Sequence, residues 1–114
     1  MPENIRVNDI PLNERPIEKL LKFGVKSLSD AELLAILLRT GTKGENVINL
    51  SSRIIAELKG LDGLLNISYD EANKIKGIKK VKACQIIAMT ELFNRFKTLK
   101  SINDSFKVTS PKDI

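Results

Sequence analysis

Apolar residues recur along this chain at helical spacing, and each run is closed by glycine or a polar break. Residues 1–15 are polar, carry Pro2 and Pro11, and read as an irregular arm. Pro16 suits a first helical position and Gly24 a stop; between them Ile17, Leu20, Leu21 and Phe23 form the expected buried side of a first helix. Ser29-Asp30-Ala31-Glu32 is a capping box, in which the serine hydroxyl and the glutamate carboxylate each satisfy an amide at the other's position. The helix it opens, through Leu33, Leu34, Ile36, Leu37 and Leu38 to Gly41, is apolar on most sides and predicts a central element. After the loop Gly41-Thr42-Lys43-Gly44, a third helix is expected over Glu45–Leu58. Val47, Leu50, Ile54 and Leu58 form one stripe with Ile48 and Ile55 beside it, and Ser51, Ser52, Arg53 and Glu57 mostly face water.

Gly60 ends that helix, and Leu61–Asn66 reads as a short helical connection. Ser68-Tyr69-Asp70-Glu71 is a second capping box, starting a short helix over Tyr69–Ile75 that stops at Gly77. The last helix spans about Val81–Lys97. Ala83, Cys84, Ile86, Ile87, Ala88 and Met89 make its first half apolar in nearly every direction, and Leu92, Phe93 and Phe96 continue one side. Phe106-Lys107-Val108-Thr109 alternates weakly, as an edge strand does, before Ser110-Pro111 cuts it off. The expected fold is all-α: a compact bundle of five to six short helices over residues 16–98, ending in a helix-hairpin-helix element at 69–97.

Composition agrees with this picture. Aromatics are 4% of 114 residues and tryptophan is absent, so Leu, Ile, Val and Ala must make the core. The single cysteine, Cys84, excludes an internal disulfide and a cysteine-rich zinc site, and points to a reducing, cytoplasmic setting. The absence of histidine removes the commonest general base and metal ligand, and argues against catalysis by this chain. The N-terminus lacks the basic start and apolar run of a signal peptide. The longest apolar stretch, Ala31–Leu38, is interrupted by Glu32 and too short for a bilayer, so no membrane partner is expected. The net charge of +5 is uneven: residues 1–75 carry 10 Lys/Arg against 11 Asp/Glu, and residues 76–114 carry 9 against 3. Such asymmetry suits a polyanionic partner, although solubility alone also accounts for it.

The chemistry-bearing constellation lies where that basic surplus begins, in Lys76-Gly77-Ile78-Lys79-Lys80-Val81-Lys82. Gly77 permits a left-handed backbone, Ile78 plugs the gap between two helices, and the amides at the start of the last helix are donors without an intrahelical acceptor. With the helix dipole and Lys79, Lys80 and Lys82 around them, those amides form a candidate phosphate site that reads no bases. The usual hairpin has glycine where this chain has Lys79; a lysine forced into a left-handed conformation there costs about 1–2 kcal/mol. Thr42, Lys43 and Gly44 make a second candidate anion cradle, for which the simpler reading is Gly41 as helix C-cap and Gly44 as turn residue. Cys84 reads as core, not nucleophile, for want of an activating histidine.

The run from Leu28 to Gly44, with Glu14-Arg15-Pro16 before it, closely resembles the N-terminal domain of the bacterial RadC family. Lys76-Gly77-Ile78 and the closing Ser110-Pro111-Lys112-Asp113-Ile114 fall where that family has its helix-hairpin-helix and the opening of its next domain. The resemblance implies a fragment of a longer protein, with residues 99–114 as linker and start of a missing JAB/MPN metalloprotease-like domain. The zinc ligands of that domain, two His and one Asp, are not in this chain, so no cofactor is expected here. The family carries a DNA-repair label. That label sets no mechanism; from the hairpin and its lysines the function expected is a non-catalytic, sequence-independent nucleic-acid-binding or targeting module, with DNA held weakly through its phosphates, in service of the C-terminal domain. The alternative is a protein-interaction or dimerisation module, given the strongly apolar second and last helices.

Overall fold

A computed structural model describes the backbone over residues 15–108 and side chains through Asn103. Six α-helices follow one another among the described residues: α1 Pro16–Phe23, α2 Asp30–Leu38, α3 Val47–Glu57, α4 Leu61–Leu65, α5 Tyr69–Lys74 and α6 Lys80–Val108, with a 3₁₀ turn at Val25–Ser27. The only β pairing described is an isolated bridge between Thr42 and Glu45. Of the expected arm over residues 1–15, all but Arg15 lies outside the described residues.

Both capping boxes form. Ser29 Oγ accepts from the Glu32 amide at 3.1 Å while Glu32 Oε1 accepts from the Ser29 amide at 2.8 Å, and Ser68 and Glu71 repeat the exchange at 3.1 and 2.9 Å. α2 packs chiefly on α3 and α5 on α6. Between these pairs lies one continuous core in which Leu38, Leu50, Ile54, Ala83 and Ile86 are 1% exposed or less. Ile78, from the turn joining α5 to α6, is 2% exposed and belongs to that core, as expected of a wedge between two helices.

Three elements differ from the sequence-based expectation. The intended buried side of α1 is open: Ile17 is 56% exposed, Leu21 72% and Phe23 59%. α1 packs mainly on the 3₁₀ turn and on α2, to which Lys19 ties it by a 3.2 Å ion pair with Glu32, so it lies along an edge and seals nothing. α2 ends at Leu38 with Arg39 as its C-cap, and Gly41 is not the stop. A Cβ on Gly41 would lie 2.0 Å from the Glu45 carbonyl oxygen, so glycine is required there for close backbone approach. α6 does not stop near Lys97, and Phe106–Val108 are helical, not an edge strand. No glycine or proline interrupts residues 80–108, and the first breaker is Pro111. Thr109 and the rest of the expected linker lie outside the described residues.

Candidate nucleic-acid interface

The turn between α5 and α6 is built around Gly77. Its φ is +88°, the left-handed region where glycine carries no steric cost. The Ile78 amide closes the turn by donating to the Ile75 carbonyl at 2.9 Å. A Cβ on Gly77 would stand 3.2 Å from Arg53 Nη2 and 3.4 Å from the Thr42 side chain. The glycine is thus needed for backbone sign, and a side chain there would also press on the Arg53 guanidinium. Lys79 is not in a left-handed conformation; the non-glycine residues described with positive φ are Arg39 and Lys59. The strain anticipated at Lys79 is therefore absent. Its carbonyl instead accepts the first α6 bond, from the Ala83 amide at 2.9 Å, which makes Lys79 the residue before the helix. The amides of Lys80, Val81 and Lys82 open α6 with no carbonyl four residues earlier inside the helix to receive them.

The side chains of this segment divide into two groups. Lys79 and Lys80 are exposed and Val81 is 70% exposed. Lys82 turns inward: its ammonium donates to Thr40 Oγ1 at 3.0 Å and to the Leu38 carbonyl at 3.3 Å. Burial pushes its pKa below the ordinary lysine value. Lys82 thus caps the end of α2, where a cation complements the helix dipole.

That end of α2 is sharply bent. Arg39 adopts φ +70° and ψ −49°, and the Thr40 amide donates back to the Leu38 carbonyl at 2.8 Å, a γ-turn of the strained positive-φ kind. Lys82 holds the same Leu38 carbonyl, so α6 helps impose the bend. The chain then makes a tight hairpin in which Thr42 and Glu45 exchange backbone bonds at 2.9 and 3.0 Å, with Lys43 and Gly44 at its exposed tip. Gly44 has φ +82°, as the third position of a type II turn requires. The amides of Thr42 and Glu45 are consumed in this hairpin. What it presents outward is Lys43.

Arg53 locks the two loops side by side. Its Nη2 and Nε donate to Glu45 at 2.8 and 3.0 Å, Nη1 donates to Glu57 at 3.0 Å, and Nη2 also reaches the Lys76 carbonyl. The guanidinium, through its hydrogen bonds against an opposing burial effect, holds the Glu45 carboxyl below its usual range, with Lys76 adding to the attraction. Arg53 is itself held firmly protonated by the same pair. The sequence pattern had placed Arg53 among residues facing water; its link to a backbone carbonyl 23 residues away leaves no periodic signal. The result is that the loop carrying exposed Lys43 is held against the turn carrying exposed Lys76, Lys79 and Lys80, which leads into α6. A cleft of about 820 Å³ lies between the start of α1 and the loop over residues 39–47; Thr42, Gly44 and Glu45 line it, and none of Gly77–Lys82 does. Among the described residues no cluster of His, Cys, Asp or Glu suits a metal ion, and no helix is long and apolar enough to cross a membrane.

Residues 7–84 match the family model described as UPF0758 N-terminal. The chain belongs to the UPF0758 family. This is the grouping to which the RadC-like run at Leu28–Gly44 pointed. Among the relatives, a UPF0758 protein of Clostridium beijerinckii is 58% identical over all 114 residues, which is 50% of that protein. A UPF0758 protein of Clostridium acetobutylicum is 56% identical over 110 residues, 96% of this chain and 48% of the relative. The chain thus spans about half the length of the curated relatives it matches. No solved structure matches it.

Proposed function

We propose that this UPF0758 N-terminal domain is a sequence-independent nucleic-acid-binding module, holding backbone phosphate at the α5–α6 turn as a helix-hairpin-helix does. The observation that carries this reading is the locking of the Gly77 turn against the Thr42 hairpin by Arg53, which brings together two loops whose exposed lysines are Lys43 on one and Lys79 and Lys80 on the other. A phosphate there meets backbone donors at the positive end of a helix dipole and cations from both loops. Contacts of this kind go to phosphate and carry no sequence information, so affinity is weak and indifferent to sequence. Lys82 contributes by fixing the start of α6 on α2, and the phosphate contacts fall to Lys43, Lys79 and Lys80. In the full-length protein the module delivers a second, metal-dependent domain to its substrate.

Titration of labelled duplex, branched and single-stranded DNA at two salt concentrations tests this. Three phosphate contacts give a slope of log K against log salt of about −2.7, and Lys79→Glu with Lys80→Glu removes about two-thirds of it. Lys82→Met leaves the slope unchanged. Equal duplex affinity for the double glutamate variant and the native chain sinks the proposal.

A further inference from the structure

The face of α6 turned away from the core is not polar. Ala83, Ile86 and Thr90 mark the side claimed by the core, and the side opposite carries Val81 (70% exposed), Cys84 and Ala88; beyond Thr90, where every described position to Asn103 is exposed, the same line continues through Leu92 (56%), Phe96 (64%), Leu99 (57%) and Ile102 (48%). At about 100° per residue these seven fall within an arc of roughly 120°, and they run for about 32 Å along the helix. An apolar strip of that length on a free surface marks an interaction site. Arg95 is the one charged residue inside the arc between Val81 and Ile102, and it is neutralised by Glu91 at 2.9 Å.

The strip also has a gradient of size. Its N-terminal part is small, Val81, Cys84 and Ala88, and its C-terminal part is large, Leu92, Phe96, Leu99 and Ile102. From this self-complementarity we infer that the occupant of the strip is a second copy of this chain, its α6 laid antiparallel across the first about a twofold axis near Leu92. In that register Val81 meets Ile102 of the second copy, Cys84 meets Leu99, and Ala88 meets Arg95 and Phe96, so large side chains fill the space beside small ones. The contact is isologous and closes at two copies. Arg95 crosses a methyl group, and the two Glu91 carboxylates that this register brings to one flank of the twofold axis are each held by the Arg95 of their own helix. A parallel pair would crowd Phe96 and Leu99 at one end and leave gaps at Cys84 and Ala88. The seven positions offer on the order of 600 Å² per copy, or about 1,200 Å² in the pair, the lower end of stable interfaces.

Sedimentation equilibrium of the 114-residue chain at rising concentration is expected to show a mass moving from 12.7 kDa towards twice that value. Leu92→Glu with Leu99→Glu, at exposed sites, abolishes the shift while far-ultraviolet circular dichroism stays unchanged. Direction is read by oxidation. Leu99→Cys places its thiol against Cys84 of the second copy and yields a disulfide-linked dimer. The native chain does not cross-link, because its two Cys84 residues stand about 22 Å apart along the helices, beyond disulfide reach. A chain that remains at 12.7 kDa up to millimolar concentration, or a native Cys84–Cys84 dimer forming readily, overturns the inference.

Discussion

Arg53→Met isolates the clamp between the two loops, because methionine keeps an apolar stem of similar length and removes only the guanidinium. The native group makes two charge-assisted bonds to Glu45, one to Glu57 and one to the Lys76 carbonyl. Buried bonds of this kind contribute about 1.5–3 kcal/mol each, but an exposed i,i+4 pair such as Arg53–Glu57 contributes about 0.3–0.5. Arg53 and Glu45 retain 27% and 20% of their side-chain surface in water, which discounts the first figure further. A net loss of about 2 kcal/mol follows, which for a domain of this size lowers Tm by roughly 8 °C. The pH dependence separates an electrostatic clamp from a packing effect. The folded pKa of Glu45 lies below 4.5, so the clamp is complete above that value and is lost as pH falls through the folded pKa. Thermal unfolding of both proteins should therefore show a Tm gap that is largest at neutral pH and narrows between about pH 5 and pH 3, leaving the part due to the Lys76 carbonyl bond. A gap of the same size at pH 3 and pH 7, or one under about 2 °C at pH 7, refutes the assignment of Arg53 as a charged clamp.

Gly41→Ala is expected to disrupt the domain, because its Cβ would meet the Glu45 carbonyl at 2.0 Å, whereas Gly44→Ala, with nothing within 4 Å, costs only the left-handed backbone at about 1–2 kcal/mol. Denaturant unfolding ranks the two. Ser29→Ala removes the hydroxyl half of the first capping box and should cost about 1 kcal/mol by the same measurement. It should also weaken the restraint that, with Lys19 and against partial burial, keeps the Glu32 carboxyl below its usual range.

The parts of the fold written in local chemistry were legible. Ser29–Glu32 and Ser68–Glu71 are four-residue signatures, and both start their helices where the pattern puts them. Ile78, one apolar residue among lysines, could only be a wedge. What was illegible depends on chain segments meeting from far apart. Lys82 and Lys80 look alike in sequence, yet one ammonium caps α2 across 44 residues and the other faces water. Ser51 sits on the side of α3 that polarity assigned to solvent and is fully buried, its hydroxyl without a hydrogen-bond partner. The amphipathic pattern of α1 correctly gave a helix but not a cover for its apolar side. For α6, periodicity identified an apolar helix, while the structure shows that the core claims one side of it only as far as Thr90.

The straight run of α6 has a geometric consequence for descent within the family. Thr90 is its last core residue, and the helix continues to Val108, about 27 Å further at the standard rise. Over that stretch the chain behaves as a screw. Losing one residue would rotate everything beyond it by about 100° and draw it in by about 1.5 Å, whereas losing one whole turn nearly restores the original heading. Length changes in this shaft are therefore tolerable in steps near a multiple of 3.6 residues and disruptive in between. Point substitutions on its polar side carry no such quantum.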